Sequence, residues 1–531
     1  MKRTFAAILF AIALVAFAIP GIAREDDDGD DDESRGPDRE IAKIVNRVEA
    51  ERIQETVERL EAFGTRNSCS DTQASGRGVT PARDFIVERF RHIKGLSVAL
   101  DPFVHGNCPN TPTFNVLAWL PGTTHPERLV IIGGHYDSRT IGVLDVVSDA
   151  PGANDSGTQS AVVLELAKVL SHARHPNTIV FITFSGEEQG LFGSGSIAAK
   201  FASASNAGLP AFFQGTQAVA MLNNDIVGGD NFVNGPAQLQ KFRLYSGGTP
   251  REIGSRAPDG STDNTSPSRG LMRYIGTWGV PYVPGFEMLA KMRQDRPGRS
   301  SDQRSFTNNA IPAVRFMETL ECSPSAIDNS GCTLDPATGL CTASNLSPFA
   351  SLPESDPRRG CILGFNPGEP TSGSIAHQHS PEDRSSFVTA EYSARIAKVM
   401  AATAATLARA PLAPNWPRDA ARVPVVPTAD AAGAVTLTWN ASAGDAIDHF
   451  VIAARATTEN FYRQRVTVSG NATTRTVTPA ELGLTIGQAF LISVAAVDAK
   501  GHESLFAYPE FRCEGSSCAL PAGALNVTAA R

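Results

Sequence analysis

Six side chains, set in three strand-like contexts and one glycine-rich turn, are the residues of this 531-residue chain best suited to chemistry. The apolar run LVIIGG leads into His135-Tyr136-Asp137, IVFITFSG into Glu187-Glu188, and VAMLNN into Asp225. Asp155 lies in PGANDSG, directly before a helical pattern. Open parallel sheets bind ligands beyond the carboxyl ends of their strands, which is where these clusters stand. Taken singly they have ordinary uses: a surface histidine, two glutamates favoured by a helix dipole, an N-capping aspartate. Taken together they are five carboxylates and one imidazole, and like charges brought within a few ångströms oppose one another strongly. A pair of divalent cations removes that cost. Oxygen and nitrogen ligands without thiolate suit zinc in a hydrolytic site, and one carboxylate can bridge two ions. Two metals roughly 3.5–4 Å apart activate a water and polarise a carbonyl together. The residues therefore point to two zinc ions and to hydrolysis.

The elements that must position these groups are legible as patterns. Apolar runs of strand length occur at residues 114–120, 129–132, 178–184, 218–222 and 313–316. Helical patterns separate several of them, such as SAVVLELAKVLSHA at 160–173. Charged helical stretches at 39–62 and 81–93 come first, and EYSARIAKVMAATAATLARA at 391–410 closes the series. Continuous apolar strands alternating with helices predict an α/β domain with a mixed, largely parallel sheet flanked by helices. Five prolines within 411–427 mark a linker. Beyond it VTLTWN, HFVIAARA, RVTVSG, TTRTVT and AFLISVAAVDA alternate in the strand period. They predict a small all-β sandwich over 428–531.

In combination, GGHYDSR, PGANDSGTQSAVVLELA, FSGEEQGLFGS and LNNDIVG resemble the zinc-dependent aminopeptidase family of bacterial leucyl aminopeptidase and aminopeptidase Y, with glutamate carboxypeptidase II and glutaminyl cyclase among its relatives. The resemblance covers approximately residues 41–410 and implies a zinc exopeptidase fold for 38–410. It also implies a role for each residue. His135 and Asp225 would bind one zinc, Glu188 and a later histidine the other, and Asp155 would bridge the two. Glu187 matches the general base of the family, and Asp137 the acid that orients the first histidine. For the later histidine, HQHSPED offers His377 and His379. Only His379 has the trailing Ser380 and Asp383 of the family pattern, with His377 as the alternative. One departure stands out. Many relatives carry Ser-Asp-His where this chain has Ser301-Asp302-Gln303, followed by Phe306 and Ile311-Pro312-Ala313. A histidine near the substrate pocket is thereby lost, which bears on specificity rather than on zinc.

The implied activity is that of an aminopeptidase, removing the N-terminal residue of a peptide or protein substrate with Glu187 as general base to a zinc-activated water. A carboxypeptidase of the same fold would instead hold the terminal carboxylate through arginines, and Arg293, Arg296, Arg299 and Arg304 cluster in sequence. An inactive binding protein of the transferrin-receptor type is a third reading, and the complete ligand set with Glu187 speaks against it. The C-terminal segment resembles a fibronectin type III module. Trp439 lies in an early strand, Phe450 in the next, and Leu484 six residues before Phe490, which stands where that family places its corner tyrosine. Such a module is expected to act as a spacer or to tether the enzyme to a matrix or substrate.

Charge and cysteine usage bound the setting. The formal charge is −8, and EDDDGDDDE at residues 25–33 holds eight acids and no base, so that tract equals the whole imbalance. A net-acidic chain argues against general nucleic-acid binding. Lys2 and Arg3, an apolar run over 5–19, and Gly21-Ile22-Ala23 read as a secretory signal peptide cleaved after Ala23. The apolar run falls short of the roughly 20 residues that span a bilayer. Residues 24–37 read as an acidic disordered segment. The expected product is a secreted or periplasmic enzyme with no membrane span in the mature chain. Eight cysteines suit an oxidising compartment. Proximity in sequence favours Cys69 with Cys108 and Cys513 with Cys518, leaving Cys322, Cys332, Cys341 and Cys361 to pair among themselves.

Overall fold

Every side chain of the strand Asn177–Phe184 is buried, because helices cover both faces of the sheet it belongs to. The computed structural model describes residues 38–70, 76–231, 236–247, 265–295, 300–319 and 377–521. Its main sheet has eight strands: β1 (Ser97–Phe103), β2 (Thr113–Leu120), β3 (His125–His135), β4 (Asn177–Phe184), β5 (Gln217–Asn224), β6 (Lys241–Tyr245), β7 (Glu287–Lys291) and β8 (Ala313–Met317). They lie in the order β1-β2-β4-β3-β5-β8-β6-β7. The centre is parallel, β4 to β3 to β5 to β8, and antiparallel pairings flank it at β1/β2, β2/β4 and β6/β8. The sheet is therefore mixed with a parallel heart, and the apolar runs of its central strands follow from burial on both sides.

The helices are α1 (Arg39–Val45), α2 (Ala50–Glu61), α3 (Val79–Arg91), α4 (Thr158–Leu170), α5 (Phe192–Ala202), α6 (Pro267–Trp278), α7 (Gln303–Thr307) and α8 (Ala390–Leu407). Strand residues alternate between two cores, as the period of two demands. Val130, Ile132, Ile179 and Phe181 join α2, α4 and α8 on one face. Leu129, Ile131, Val180 and Ile182 join α5 and Phe306 of α7 on the other. The charged N-terminal stretch expected as one helix is two, α1 and α2. The backbone N–H of Glu49, between them, donates to Glu165 Oε1 of α4 at 2.9 Å. Arg52 donates to both oxygens of the same carboxylate at 2.8 and 2.6 Å, so a single buried acid fixes the start of α2 on α4.

The C-terminal region forms a three-stranded sheet of β9 (Thr428–Ala429), β10 (Val435–Thr438) and β13 (Thr474–Val477), facing a five-stranded one. The latter holds β11 (His449–Ala456), β12 (Gln464–Ser469), β14 (Phe490–Val497), β15 (Phe511–Glu514) and β16 (Ser517–Ala519). All pairings within both are antiparallel. Trp439, Phe450, Leu484 and Phe490 share its core with Trp416, a residue of the proline-rich stretch, which is thus part of the sandwich. Cys69 is bridged to Cys108 and Cys513 to Cys518. The other four cysteines, residues 1–37, and Arg296 and Arg299 lie outside the described residues.

Candidate metal centre

Three parallel strands end side by side at one edge of the sheet, and each delivers a polar residue there. His135 is the last residue of β3, Glu187 and Glu188 follow β4, and Asp225 follows β5. Close approach of α4 permits this: a Cβ on Gly134 would lie 2.8 Å from Gln159 Cβ and 2.9 Å from Asn224 Nδ2. Only glycine fits between the strand and the first turn of the helix. Asp155 comes from the turn that opens α4, where Gly152 takes a left-handed φ of 51° and a Cβ would meet Asp155 O at 2.5 Å. His379 arrives from the segment before α8 with a φ of 59°, uncommon for a non-glycine residue and characteristic of functional positions.

Sequence-distant residues meet in two groups that share one carboxylate. His135, Asp155 and Asp225 form the first, and Asp155, Glu188 and His379 the second, with the ligand atoms of each within 4.8 Å of one another. His135 Nε2 lies 3.2 Å from Asp155 Oδ1 and 3.5 Å from Asp225 Oδ1. His379 Nε2 lies 3.1 Å from Asp155 Oδ2 and 3.1 Å from Glu188 Oε2. Tetrahedral zinc with bonds of 2.0–2.2 Å sets neighbouring ligand atoms about 3.3–3.6 Å apart. The donor set and its spacing therefore fit zinc, with one Asp155 oxygen facing each group. A third convergence, Cys69, His105 and Cys108, has its two sulfurs joined in a disulfide.

Asp137, fully buried, ties two of these strand ends together. Its carbonyl lies 3.1 Å from His135 Nδ1, which leaves Nε2 to the cluster. Its carboxylate accepts the backbone N–H groups of Glu187 at 3.4 Å and Glu188 at 3.2 Å. Glu187 is half-buried, and its carboxyl shares its electrostatic surroundings with His135, Asp225, Asp302 and Glu188. Burial pushes it well above the usual carboxylate range, with Asp225, Asp302 and Glu188 adding to the rise against His135. Burial would lower the His135 imidazole, but Asp137, Asp155 and Asp225 outweigh it and raise it well above its ordinary value. Burial would raise Asp155, but His135 and His379 hold it well below the ordinary value. The rises at Glu187 and His135 show a pocket of carboxylates that favours positive charge.

His377 stays outside both groups. Its Nδ1 sits 2.5 Å from Asp230 Oδ2 and its ring stacks on Phe387 with centroids 3.6 Å apart. Of the arginines considered for carboxylate binding, Arg304 is exposed on α7. A cavity of about 1340 Å³ is lined by residues such as Phe85, Lys94, Leu164 and Arg174, and none of the clustered residues lines it.

Several contributing residues were assigned no role by the sequence. Arg66 is fully buried, donating to Tyr136 O at 2.7 Å, Leu60 O at 3.0 Å, Pro151 O at 2.5 Å and Gly152 O at 2.8 Å. It locks the loop after β3 to the turn of Asp155, and burial pushes its guanidinium down to about 10. Gln159 Nε2 donates to Asp225 Oδ1 at 3.0 Å, and Gln378 Nε2 to Asp155 Oδ2 at 2.6 Å. Arg139 Nε donates to Glu188 Oε2 at 2.7 Å. Arg315 Nη2 lies 3.0 Å from Asp225 Oδ2. A charged residue inside the apolar run 313–316 was the available signal for Arg315, since arginine is rarely buried unless paired.

Residues 115–404 match the model of a family described as peptidase family M28. A probable zinc metalloprotease of Leptosphaeria maculans is 33% identical over 298 residues, covering 54% of this chain and 67% of the relative. Another, of Pyrenophora tritici-repentis, is 33% identical over 54% of this chain and 60% of its own length. Against these two relatives the chain spans 60–67% of their length. Among solved structures, the Legionella pneumophila LapA aminopeptidase aligns with a TM-score of 0.44 at 15% identity, over 70% of this chain and 76% of that one. A Fimbriiglobus ruber glutaminyl cyclase aligns with a TM-score of 0.41 at 15% identity, over 67% and 94%.

Proposed function

Because the chain belongs to peptidase family M28 and is a zinc-dependent metallopeptidase, we propose that it is an exported aminopeptidase that holds two zinc ions and removes the N-terminal residue of peptides. The observation that carries this reading is Asp155, which presents one oxygen to His135 and the other to His379. The proposed ligands are His135, Asp155 and Asp225 for one ion, and Asp155, Glu188 and His379 for the other. When bound, zinc supplies Lewis acidity that polarises the scissile carbonyl and makes a water acidic enough to give up a proton.

The remaining work falls to side chains. Glu187, half-buried at the edge of the cluster, accepts the proton of the attacking water and returns one to the leaving amine. Asp137 keeps Glu187 in place through its backbone N–H and holds His135 in the orientation that turns Nε2 inward. Recognition of a free α-amine by the acidic surroundings restricts cleavage to the first residue. Export is supported by the pattern of residues 1–23 and by the two disulfides.

A substrate panel tests the reading: free N-terminal aminoacyl amides, N-blocked peptides and C-terminal acidic dipeptides. Turnover of the first set alone is expected. Turnover confined to the N-blocked set would reject an aminopeptidase and favour the carboxypeptidase alternative. Recovery of a secreted chain beginning at Arg24 is the expected outcome for export.

A further inference from the structure

Arg315 lies in the middle of β8, a strand whose five residues are all buried, and is itself 0% exposed. On one side β8 pairs with β5, with Arg315 in register with Asn223 two residues before Asp225. Its guanidinium reaches two acids. Nη1 donates to Asp295 Oδ2 at 2.7 Å, and Nη2 lies 3.0 Å from Asp225 Oδ2. Burial would drive the charge off this group, but Asp225 and Asp295 overcome that and hold it firmly protonated.

The consequence is a division of labour between the oxygens of Asp225. Oδ2 faces Arg315, whereas Oδ1 faces His135 Nε2 at 3.5 Å. The support behind Arg315 is continuous. Gln303 Nε2 donates to Gln294 O at 3.0 Å and lies 3.5 Å from Asp295 Oδ2, while Asn223 Nδ2 donates to Gln303 Oε1 at 3.4 Å. A closed circuit thus runs from Asp225 through Arg315, Asp295 and Gln303 back to Asn223 on the strand that carries Asp225. Gln303 is the residue that departs from the family's histidine, and here it is a buried brace. A buried ion pair is expensive to desolvate and is weak support for stability alone, so its position on a proposed ligand calls for another account.

We propose that Arg315, backed by Asp295, is a positioning residue for the ion at His135, Asp155 and Asp225. It clamps one oxygen of Asp225 so that the other alone is offered to the metal. The inference rests on the two-ion reading of the site.

The test is competition between a chromophoric chelator and the full-length, metal-stripped protein titrated with Zn²⁺. The wild type should take up two ions. Arg315→Gln should weaken one of them about 10–100-fold, the range typical for groups that orient a ligand, and leave the other within about threefold. Arg315→Lys, which keeps the charge but not a planar group facing both acids, should fall between. Should Arg315→Gln fail to fold because Asp295 loses this ion pair, the pair Arg315→Met with Asp295→Asn removes both charges and should weaken the same ion. In an Asp225→Ala background Arg315→Gln should cost the remaining ion nothing further. Unchanged affinity, tighter binding, or equal weakening of both ions would overturn the proposal. A wild type that binds only one ion would reject the two-ion reading instead. Arg315 is then judged on that ion, and an affinity indifferent to Arg315→Gln rejects it too.

Discussion

Asp383 takes hold of the turn that presents Asp155. Its Oδ1 accepts the backbone N–H of Asn154 at 2.7 Å, its Oδ2 that of Asp155 at 2.9 Å, and its carbonyl that of Ala153 at 2.9 Å. The acid that trails His379 by four residues therefore builds the seat of the residue shared by both groups. Asp383→Ala would leave two buried N–H groups without acceptors, at a cost of about 2–6 kcal/mol. We expect a lower melting temperature together with reduced zinc content. A variant that loses stability but retains its full zinc would show that the seat of Asp155 does not depend on Asp383.

Glu187→Gln separates proton transfer from metal binding. The substitution keeps the shape of a side chain outside both ligand groups, so zinc content should be unchanged. Turnover should fall about 10²–10⁴-fold, the contribution of a positioned general base. Near-normal turnover would remove Glu187 from the mechanism, and loss of zinc would make it a ligand instead.

The assembly of this site was readable from sequence to different depths. Strand ends were marked by apolar runs stopping at polar residues and Asp155 by a glycine-rich turn before a helix, so His135, Asp155, Glu188 and Asp225 could be named before their distances were known, and the family pattern singled out His379. What escaped was whatever acts without periodicity. β6 and β7 are five-residue strands and β1 is an edge strand with only one buried residue, so none shows a long apolar run. Arg66 carried no sequence signal, and Arg315 showed only as a charge inside an apolar run, because the partners that give them a role lie far along the chain, Tyr136 and Gly152 for one and Asp225 for the other. The five prolines marked a linker without showing that Trp416 among them is buried, with Nε1 donating to Pro509 O at 2.9 Å. Proline fixes the local backbone and says nothing of what the residues between will pack against.

Removal of metal should be visible in stability as well as in activity. The site gathers carboxylates whose mutual repulsion a cation relieves, so a chelator should abolish turnover and lower the melting temperature. Added Zn²⁺ should restore both, contributing about 2.7 kcal/mol for each independent ion at a free concentration 100 times its Kd. Thermal unfolding of stripped and reloaded protein measures this. An identical melting temperature in both states would mean that the acids tolerate one another without a cation.

The partners of Glu510 predict an acid-sensitive junction outside the ligand groups. It accepts from Arg273 Nη2 of α6 at 2.7 Å, from Arg455 Nη2 at 2.8 Å and Nε at 3.0 Å, and from the Tyr462 hydroxyl at 2.9 Å. Burial would raise its carboxyl, but Arg273 and Arg455 prevail and hold it below the ordinary value. A depressed folded-state value contributes stability that is fully present above the unfolded value of about 4.3 and is lost as pH falls through the folded one. Glu510→Gln should cost about 3–5 kcal/mol at neutral pH, as breaking a buried pair does. The gap from wild type should narrow below about pH 4. A gap independent of pH would mean that Glu510 contributes through packing rather than charge.

Truncation after Ala410 asks whether the sandwich is an appendage. Contacts from three separate strand and loop regions say otherwise. Arg128 Nη1 at the start of the apolar part of β3 pairs with Asp445 Oδ1 at 2.5 Å, both side chains 5% exposed. Tyr274 donates to Glu503 O at 2.9 Å and Trp278 Nε1 to Glu503 Oε1 at 3.2 Å, both from α6. Arg273, one residue before Tyr274, enters the Glu510 pair. Deleting residues 411–531 would strand two buried arginines without these carboxylates and uncover the face of α6 that meets them. Losing either partner of such a pair costs about 3–5 kcal/mol, and two losses together approach the 5–15 kcal/mol that holds a typical domain folded. We therefore expect the truncated chain to aggregate or to unfold at a much lower temperature. A soluble truncated chain with undiminished cleavage of small peptides would assign these contacts to docking alone and return the sandwich to the role of a spacer.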